Sequence, residues 1–298
     1  MTISGANPTS YFSAPATTLD PTLFDGRVLK SWVRNGVVSI LNDFLNLRYR
    51  HSELWSHAWL AGSGVSYQWA AARQPGDLDC LIGVDYVQFR KANPEFRGLS
   101  DREISAQINE EFRDELYGQT ANWNGYELTF YVNPGATDIR SINPYAAYDL
   151  KYDEWTVVPD QNAVAPSNPA WDRVAEADAL STRQIATRFN QALQDLKTSH
   201  GGAAQRNAEN RMTIAGAQGN ALFNEIHTNR SIAFSPEGQG YGDFHNYRWQ
   251  AGKRSGTIET LRGIRQHMKD SLSSSNPYGV ELPDTSTLIR RAALYRSQ

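Results

Sequence analysis

Apolar residues recur every three or four positions in some parts of the chain and alternate with polar residues in others. The pattern therefore predicts both helices and strands. Residues 29–44 have helical spacing, and Asp20 followed by Pro21 is typical of a helix start. These features predict a first helix that ends near Arg50. Ser100 and Glu103 have capping-box spacing before a second amphipathic helix.

Four apolar or alternating stretches predict strands. They cover residues 57–61, 77–85 and 126–132, with a further extended pair between 145 and 158. Helical and extended stretches alternate up to this point, which favours a small mixed β-sheet backed by helices. The expected fold class is therefore α/β (α+β).

The second half of the chain is predicted to be helical. A linker-like stretch near residues 159–170 is followed by Ser181 and Gln184, a second capping-box pattern, and helices are predicted over 203–228 and 246–272. The predicted organisation has four segments. They are a flexible N-terminal arm (1–19), a sheet domain (20–158), a helical domain (165–272) and a flexible tail (273–298), with one short helix near 287–295.

Composition narrows the class of protein. A 298-residue chain with 40% hydrophobic residues can bury a core, and the single Cys80 excludes an internal disulfide. Long apolar runs and a secretory signal pattern are missing from the sequence, which leads us to expect a cytoplasmic protein without membrane contact. Residues 200–298 carry a net charge of +4 and the rest −7, a distribution that suits a phosphate partner and metal-binding acids respectively.

The stretch with the most chemical content begins at Gly62-Ser63 and continues, after thirteen intervening residues, with Asp77-Leu78-Asp79. Side chains alternate along a strand, so the two aspartates share one face. Glu127 lies in the later predicted strand. If the two strands are neighbours, three carboxylates meet on one surface, where divalent metal would relieve their repulsion. Asp138 and Asp149 are alternative third carboxylates.

This ordered set resembles the signature of the DNA polymerase beta-like nucleotidyltransferase superfamily, which has Gly-Ser, a gap, a two-aspartate strand and a later carboxylate. The layout is also similar to nucleotidyltransferase-like proteins encoded by bacterial viruses. The resemblance covers residues 55–135. One departure is Glu127, because this position is more often Asp in the superfamily.

The resemblance implies a two-metal enzyme that uses Mg²⁺ or Mn²⁺ and a nucleoside triphosphate such as ATP. Asp77, Asp79 and Glu127 would ligate the metal ions and carry the chemistry. Gly62, Ser63 and Gly64 would approach the triphosphate. A nucleoside monophosphate would move to a hydroxyl acceptor, for which an RNA or tRNA 3′ end is the first candidate.

A second, weaker site pattern lies in the helical half. Residues 245–254 interleave aromatic and basic side chains, so Arg248 and Lys253 are candidates for triphosphate or acceptor contacts. The competing interpretation is that Trp249 is core and the charges are solvated. Two rival classes also remain, a non-catalytic nucleotide- or nucleic-acid-binding module on the same fold and a structural protein. The oligomeric state is not predicted.

Overall fold

A computed structural model describes residues 10–69, 76–133, 137–199, 201–274 and 285–296. These residues divide into two compact units. The sheet unit contains residues 10–164 together with the C-terminal helix, and the helical unit contains residues 165–274. Within the described ranges, we find no helix that is both long enough and apolar enough to cross a membrane.

The sheet unit contains a short hairpin and a five-stranded mixed sheet. The strands are β1 (Phe24–Asp25), β2 (Val28–Leu29), β3 (Ser56–Ala61), β4 (Gly76–Val84), β5 (Tyr126–Val132), β6 (Ala147–Asp149) and β7 (Glu154–Val157). The strand order is β5-β4-β3-β6-β7. Only β4 and β5 are parallel, and the other neighbours are antiparallel. The α/β (α+β) class predicted from the sequence is confirmed.

Helices surround this sheet and form the other unit. Those of the sheet unit are α1 (Ser31–Arg48), α2 (Ser52–Trp55), α3 (Tyr86–Ala92), α4 (Asp101–Glu111), a π-helical turn (Phe112–Leu116), α5 (Tyr117–Thr120) and α10 (Thr285–Arg296). The helical unit has α6 (Pro169–Thr198), α7 (Gly202–Ala233), α8 (Phe244–Arg254) and α9 (Thr257–Ser274).

One face of the sheet packs on the helices and forms the main core. Alternation along β4 and β5 directs one set of side chains to this face, and all of its members are buried. They are Leu78, Cys80, Ile82, Val84, Leu128, Phe130 and Val132. The helical stripe Ile104, Ile108, Phe112 and Leu116 packs in the same cluster. Both alternations agree with the periodicity of the sequence, and the capping box at Ser100 and Glu103 is present.

The first helix begins later than predicted. Asp20 does cap a turn, since its Oδ1 accepts a hydrogen bond from the Thr22 amide at 2.8 Å, but the chain then forms the β1–β2 hairpin. The hairpin turns at Gly26-Arg27, the two residues inside the Asp25–Val28 pair, and Gly26 has a φ of +60°. Glycine at the first position of a two-residue loop is a hairpin signal, and it outweighs the helix start signal of Asp20-Pro21. Helix α1 therefore starts at Ser31.

Two boundaries in the helical unit also differ from the prediction. Helix α6 begins at Pro169, where the Asn168 side chain accepts from the Ala170 amide at 3.0 Å, so Ser181 and Gln184 lie inside the helix. Proline at the first helical position after a capping Asn is the better start signal. The predicted last helix is divided into α8 and α9 at Gly256, whose φ is +77°.

Parts of the predicted arm and tail have defined structure. Tyr11 and Leu19 are buried in the sheet unit. Near the other end of the chain, Arg290 of α10 is buried, donates to Gln107 Oε1 at 2.9 Å and forms an ion pair with Glu110 of α4. Residues 1–9, 275–284 and 297–298 of the predicted arm and tail lie outside the described residues.

Candidate active site on the open face of the sheet

The face of the sheet opposite the main core carries the predicted carboxylates. In the parallel pair β4–β5, Asp77 lies opposite Glu127 and Asp79 lies opposite Thr129. All four side chains therefore point to the same face, at the start of both strands. The predicted adjacency of the two strands is confirmed. It brings Glu127 next to Asp77, although the two residues are fifty positions apart in the sequence and no local pattern relates them.

Two hydroxyl groups orient these carboxylates. Thr129 Oγ1 donates to Asp79 Oδ1 at 2.9 Å, and Tyr117 Oη of α5 donates to Glu127 Oε1 at 2.7 Å. Asp77, Asp79 and Glu127 are all half-buried. Groups in this position are held in place by the fold and are still reachable from solvent, which is the condition that a catalytic acid or a metal ligand requires.

The Gly62-Ser63-Gly64 turn lies against the same edge. Gly62 follows β3 and has a φ of +85°, a backbone conformation that favours glycine. A Cβ at Gly62 would come within 2.9 Å of Asp79 Oδ2, and one at Gly64 within 2.2 Å of the Asp77 carbonyl oxygen. The two glycines thus allow the turn to approach both aspartates. Ser63 opens a single 3₁₀ turn, Ser63–Val65.

The donor set matches magnesium or manganese in kind, since Asp77, Asp79 and Glu127 offer only hard carboxylate oxygens. Gly62 also leaves space beside Asp79 Oδ2 that any side chain would fill. In the described part of the chain, however, no three His, Cys, Asp or Glu side chains lie close enough together to hold a metal ion. The three acids share one face and one edge without forming a closed ligand set.

The two alternative third carboxylates lie towards the other end of this face. Asp149 is only 4% exposed. Its Oδ1 accepts from the amides of Lys151 and Tyr152, and its Oδ2 accepts from His57 Nε2 at 2.7 Å. These bonds fix the turn from β6 to β7. Asp138 lies on the surface and bonds to Arg140, whose guanidinium lowers the pKa of that carboxyl.

An apolar cluster separates the two ends of the face. Its buried members are Trp59, Ala61, Ile139, Ile142 and Ala147. Ile139 and Ile142 come from a 3₁₀ helix, Ile139–Ile142, that covers the middle of the sheet. Beyond it, His57 and Asp149 line a cavity of about 610 Å³ that contains neither Asp77 nor Glu127. The structure therefore groups Glu127, and not Asp138 or Asp149, with the two aspartates.

The two candidate nucleotide contacts from the second half of the chain belong to the helical unit. Arg248 of α8 is buried, and its guanidinium bonds to Asp178 at 2.6 and 2.9 Å and to Glu225 at 2.7 Å. These bonds raise the pKa of Arg248. This geometry supports a structural role for Arg248, because carboxylates inside the unit neutralise its charge. Lys253 lies half-buried in the last turn of α8.

Sequence reasoning did not identify two residues of the site. Thr129 had a detectable signal, because it alternates onto the same face as Glu127. Tyr117 had none, since its hydroxyl reaches Glu127 only after the π-helical turn Phe112–Leu116 has shifted the register of the helix before α5. Cys80 lies on the core face, where burial raises the pKa of its thiol, so it is not a nucleophile candidate.

Comparison of this chain with protein-family models, with curated proteins and with solved structures found no match in any of the three. Its function must therefore be argued from the site itself.

Proposed function

We propose that the protein is a metal-dependent nucleotidyltransferase of the DNA polymerase beta-like type, which moves a nucleoside monophosphate from a triphosphate to a hydroxyl acceptor and releases pyrophosphate. The single observation that carries this proposal is the register of β4 and β5. It aligns Asp77 with Glu127 on one open face, with Asp79 two residues along and the Gly62-Ser63 turn beside them.

The proposed residues divide the chemistry between them. Asp77, Asp79 and Glu127 would hold Mg²⁺ or Mn²⁺, which supplies charge neutralisation on the phosphates and lowers the pKa of the acceptor hydroxyl. Glu127 would accept the hydroxyl proton at the carboxylate oxygen that Tyr117 does not bind. Thr129 keeps Asp79 in one rotamer through its hydrogen bond. Glycine at position 62 keeps a side chain away from Asp79 Oδ2, where a phosphate oxygen would approach the metal.

The proposed acceptor is the 3′ end of an RNA or a tRNA. The support is electrostatic. Residues 1–199 carry a net charge of −7, whereas residues 200–298 carry a net charge of +4. Cationic surface attracts the phosphate backbone of nucleic acid irrespective of sequence.

Incubation with each radiolabelled nucleoside triphosphate, Mg²⁺ and total cellular RNA, resolved on a denaturing gel, tests the reaction and the acceptor together. We expect one labelled RNA class and one preferred triphosphate. The Asp79→Asn variant should not label RNA. Asp25→Asn is the matched control, because Asp25 is an exposed acid of the same unit and lies in β1, away from the three carboxylates.

Two outcomes would reject the enzyme. The first is RNA binding by the wild-type protein without any incorporation of label and with no effect of Asp79→Asn, which would identify the non-catalytic binding module. The second is the absence of both RNA binding and triphosphate binding, which would favour a structural protein. Labelling of a protein or a small molecule in place of RNA would keep the reaction and replace the acceptor.

A further inference from the structure

Three arginines of the helical unit lie together beside aromatic rings. On α7, Phe223, His227 and Arg230 follow one another at spacings of four and three and therefore share one helix face. On α9, Arg262 and Arg265 lie on the face that contains the buried Ile258. Helices α7 and α9 are neighbours. We call Arg230, Arg262 and Arg265 the arginine cluster.

Aromatic rings hold the cluster in place. The guanidinium carbons of Arg230 and Arg262 lie 5.2 and 5.5 Å from the ring centroid of Trp249, and that of Arg265 lies 5.2 Å from the ring of Phe223. A guanidinium within about 6 Å of a ring centroid is attracted to the ring, while the N–H groups at its edge stay available. Three cations are thus held around two adjacent rings.

The guanidinium groups of the cluster differ from that of Arg248 in their ion pairs. None of the cluster's three guanidinium groups has a carboxylate within 4.0 Å in the described ranges, whereas Arg248 in the same unit is paired with both Asp178 and Glu225. The contrast is informative, because the fold neutralises the arginine that it buries as a structural element. Like charges that the fold brings together without such pairing repel one another, and a bound anion removes that repulsion.

Two further observations point to an anion. Burial lowers the pKa of His227, and the positive charges of Arg230, Arg262 and Arg265 lower it further, so all three charges act on this imidazole. In addition, Arg230 Nε and Trp249 Nε1 are buried donors with no hydrogen-bond acceptor among the described groups, and Trp249 is only 2% exposed. Buried donors are normally satisfied, so these two call for an acceptor.

We propose that the arginine cluster binds the phosphate groups of a nucleic-acid strand and that this strand is the acceptor of the transferred nucleotide. The identification of the strand as acceptor rests on the proposed function, whereas the binding itself does not. Arg262 and Arg265 are exposed side chains one helical turn apart. Such a row suits a chain of successive phosphates that crosses the surface. The bidentate geometry of guanidinium groups matches phosphate oxygens.

The experiment is fluorescence anisotropy with a labelled single-stranded RNA of about 20 nucleotides, in EDTA and without nucleoside triphosphate, so that catalysis plays no part. The test variant is Arg262→Gln with Arg265→Gln. The matched control is Arg183→Gln with Arg188→Gln, two exposed arginines on α6 of the same unit. Both variants lose the same charge, and circular dichroism and thermal unfolding check that each is folded.

We expect the cluster variant to bind RNA at least tenfold more weakly than the wild-type protein, and the control less than twofold more weakly. A plot of the logarithm of affinity against that of salt concentration should also flatten by about 1.4 for two lost phosphate contacts on a single strand. Equal losses in both variants, or an unchanged slope, would overturn the proposal. If an unfolded variant prevents the comparison, Arg262→Lys is the second test, because it keeps the charge and loses the bidentate guanidinium. Its RNA affinity should lie between those of the wild-type protein and the expected value for the double variant. An unchanged RNA affinity would contradict the proposal.

Competition distinguishes the sources of phosphate. Inorganic phosphate, ATP and a polyglutamate peptide of equal charge should each displace the RNA only at concentrations at least a hundredfold higher than unlabelled RNA. Displacement by ATP as effective as by RNA would assign the cluster to a triphosphate, and displacement by polyglutamate would assign it to an acidic protein. Either result would overturn the proposal. RNA binding that depends on the cluster, in a protein that labels no RNA, would reject the enzyme and retain the binding surface.

Discussion

The two ends of the open sheet face use carboxylates in opposite ways. At one end, Asp149 is buried, and both of its oxygens accept hydrogen bonds that fix the β6–β7 turn and His57. At the other end, Asp77, Asp79 and Glu127 are half-buried, and the hydroxyl groups of Thr129 and Tyr117 donate to two of them. The first arrangement stabilises the fold, and the second leaves the acids accessible to solvent. We base the proposed division into structural and functional acids on this difference.

The strongest test of this comparison is Asp77→Asn or Asp79→Asn. Each change keeps the shape of the side chain and removes a charge that we assign to metal binding. Turnover should fall on the order of a thousandfold, which corresponds to about 4 kcal/mol of transition-state stabilisation. Urea unfolding should show little change in stability. A large loss of stability with unchanged turnover would reverse the assignment of this end.

The reciprocal change is Asp149→Ala, which should destabilise the protein by about 3 kcal/mol. It would leave the amides of Lys151 and Tyr152 and the imidazole of His57 without their acceptor, and unsatisfied buried donors are costly. The turnover of the folded fraction should be retained. Urea unfolding followed by tryptophan fluorescence, together with activity below the transition, measures both quantities. Loss of activity without loss of stability would show that this end is functional.

The turn that approaches the aspartates offers a third test. In Gly64→Ala, the new Cβ would meet the Asp77 carbonyl oxygen at 2.2 Å, so β4 must shift, and we expect a destabilisation of about 2 kcal/mol together with reduced activity. Gly98→Ala is the control, because a Cβ there meets nothing within 4 Å. Its stability should stay within about 0.5 kcal/mol of the wild-type value. Equal effects of the two variants would remove the argument from close approach.

The hydroxyl groups that orient the acids should have smaller effects. Tyr117→Phe and Thr129→Val each remove one hydrogen bond to a proposed metal ligand, and such changes commonly weaken metal binding or activity by about tenfold or more. We expect a tenfold loss of turnover that a higher Mg²⁺ concentration partly restores. Thr129→Ser should recover most of the activity. A loss that Mg²⁺ does not relieve would mean that these hydroxyl groups act on the fold and not on the ligands.

The smallest expected effect concerns Glu111, a carboxylate that is also part of the fold. Burial raises its pKa, although Gln107 and Tyr49 donate hydrogen bonds to it. The folded protein therefore binds this proton more tightly than the unfolded chain. The stabilising contribution is present below the unfolded pKa and is lost as pH rises through the folded pKa. Glu111→Gln should raise the free energy of unfolding at pH 7 by less than about 1 kcal/mol. A gain that does not shrink towards pH 4 would contradict this explanation.

The sequence alone predicted most of the elements and proposed the three acids, with Asp138 and Asp149 as alternatives to Glu127. Alternation of polar and apolar residues at Asp77-Leu78-Asp79 and Glu127-Leu128-Thr129 specified which side chains reach the core, since a strand in the wrong register would bury Asp79 and expose Leu78. The Gly-Ser turn and the capping box at Ser100 could also be predicted, because each depends on a few residues that are close in the chain.

The predicted starts of helices were wrong where two local signals competed. Asp20-Pro21 is followed by the β1–β2 hairpin and not by a helix, because the hairpin packs Leu23, Phe24 and Leu29 in the core. In the helical unit, Asn168-Pro169 started α6 well before Ser181. Local patterns carry similar free energies, of the order of 1 kcal/mol, so burial elsewhere in the molecule decides between them.

Only the tertiary structure decided which groups meet. The parallel pairing of β4 and β5 placed Glu127, and not Asp138 or Asp149, beside the two aspartates. The packing of α7 on α9 brought Arg230, Arg262 and Arg265 together. Arg248, a candidate from the sequence, instead forms ion pairs with Asp178 and Glu225. A sequence records which charges exist. Whether a charge is neutralised by the fold or left for a ligand depends on distances between residues far apart in the chain, which no local period encodes.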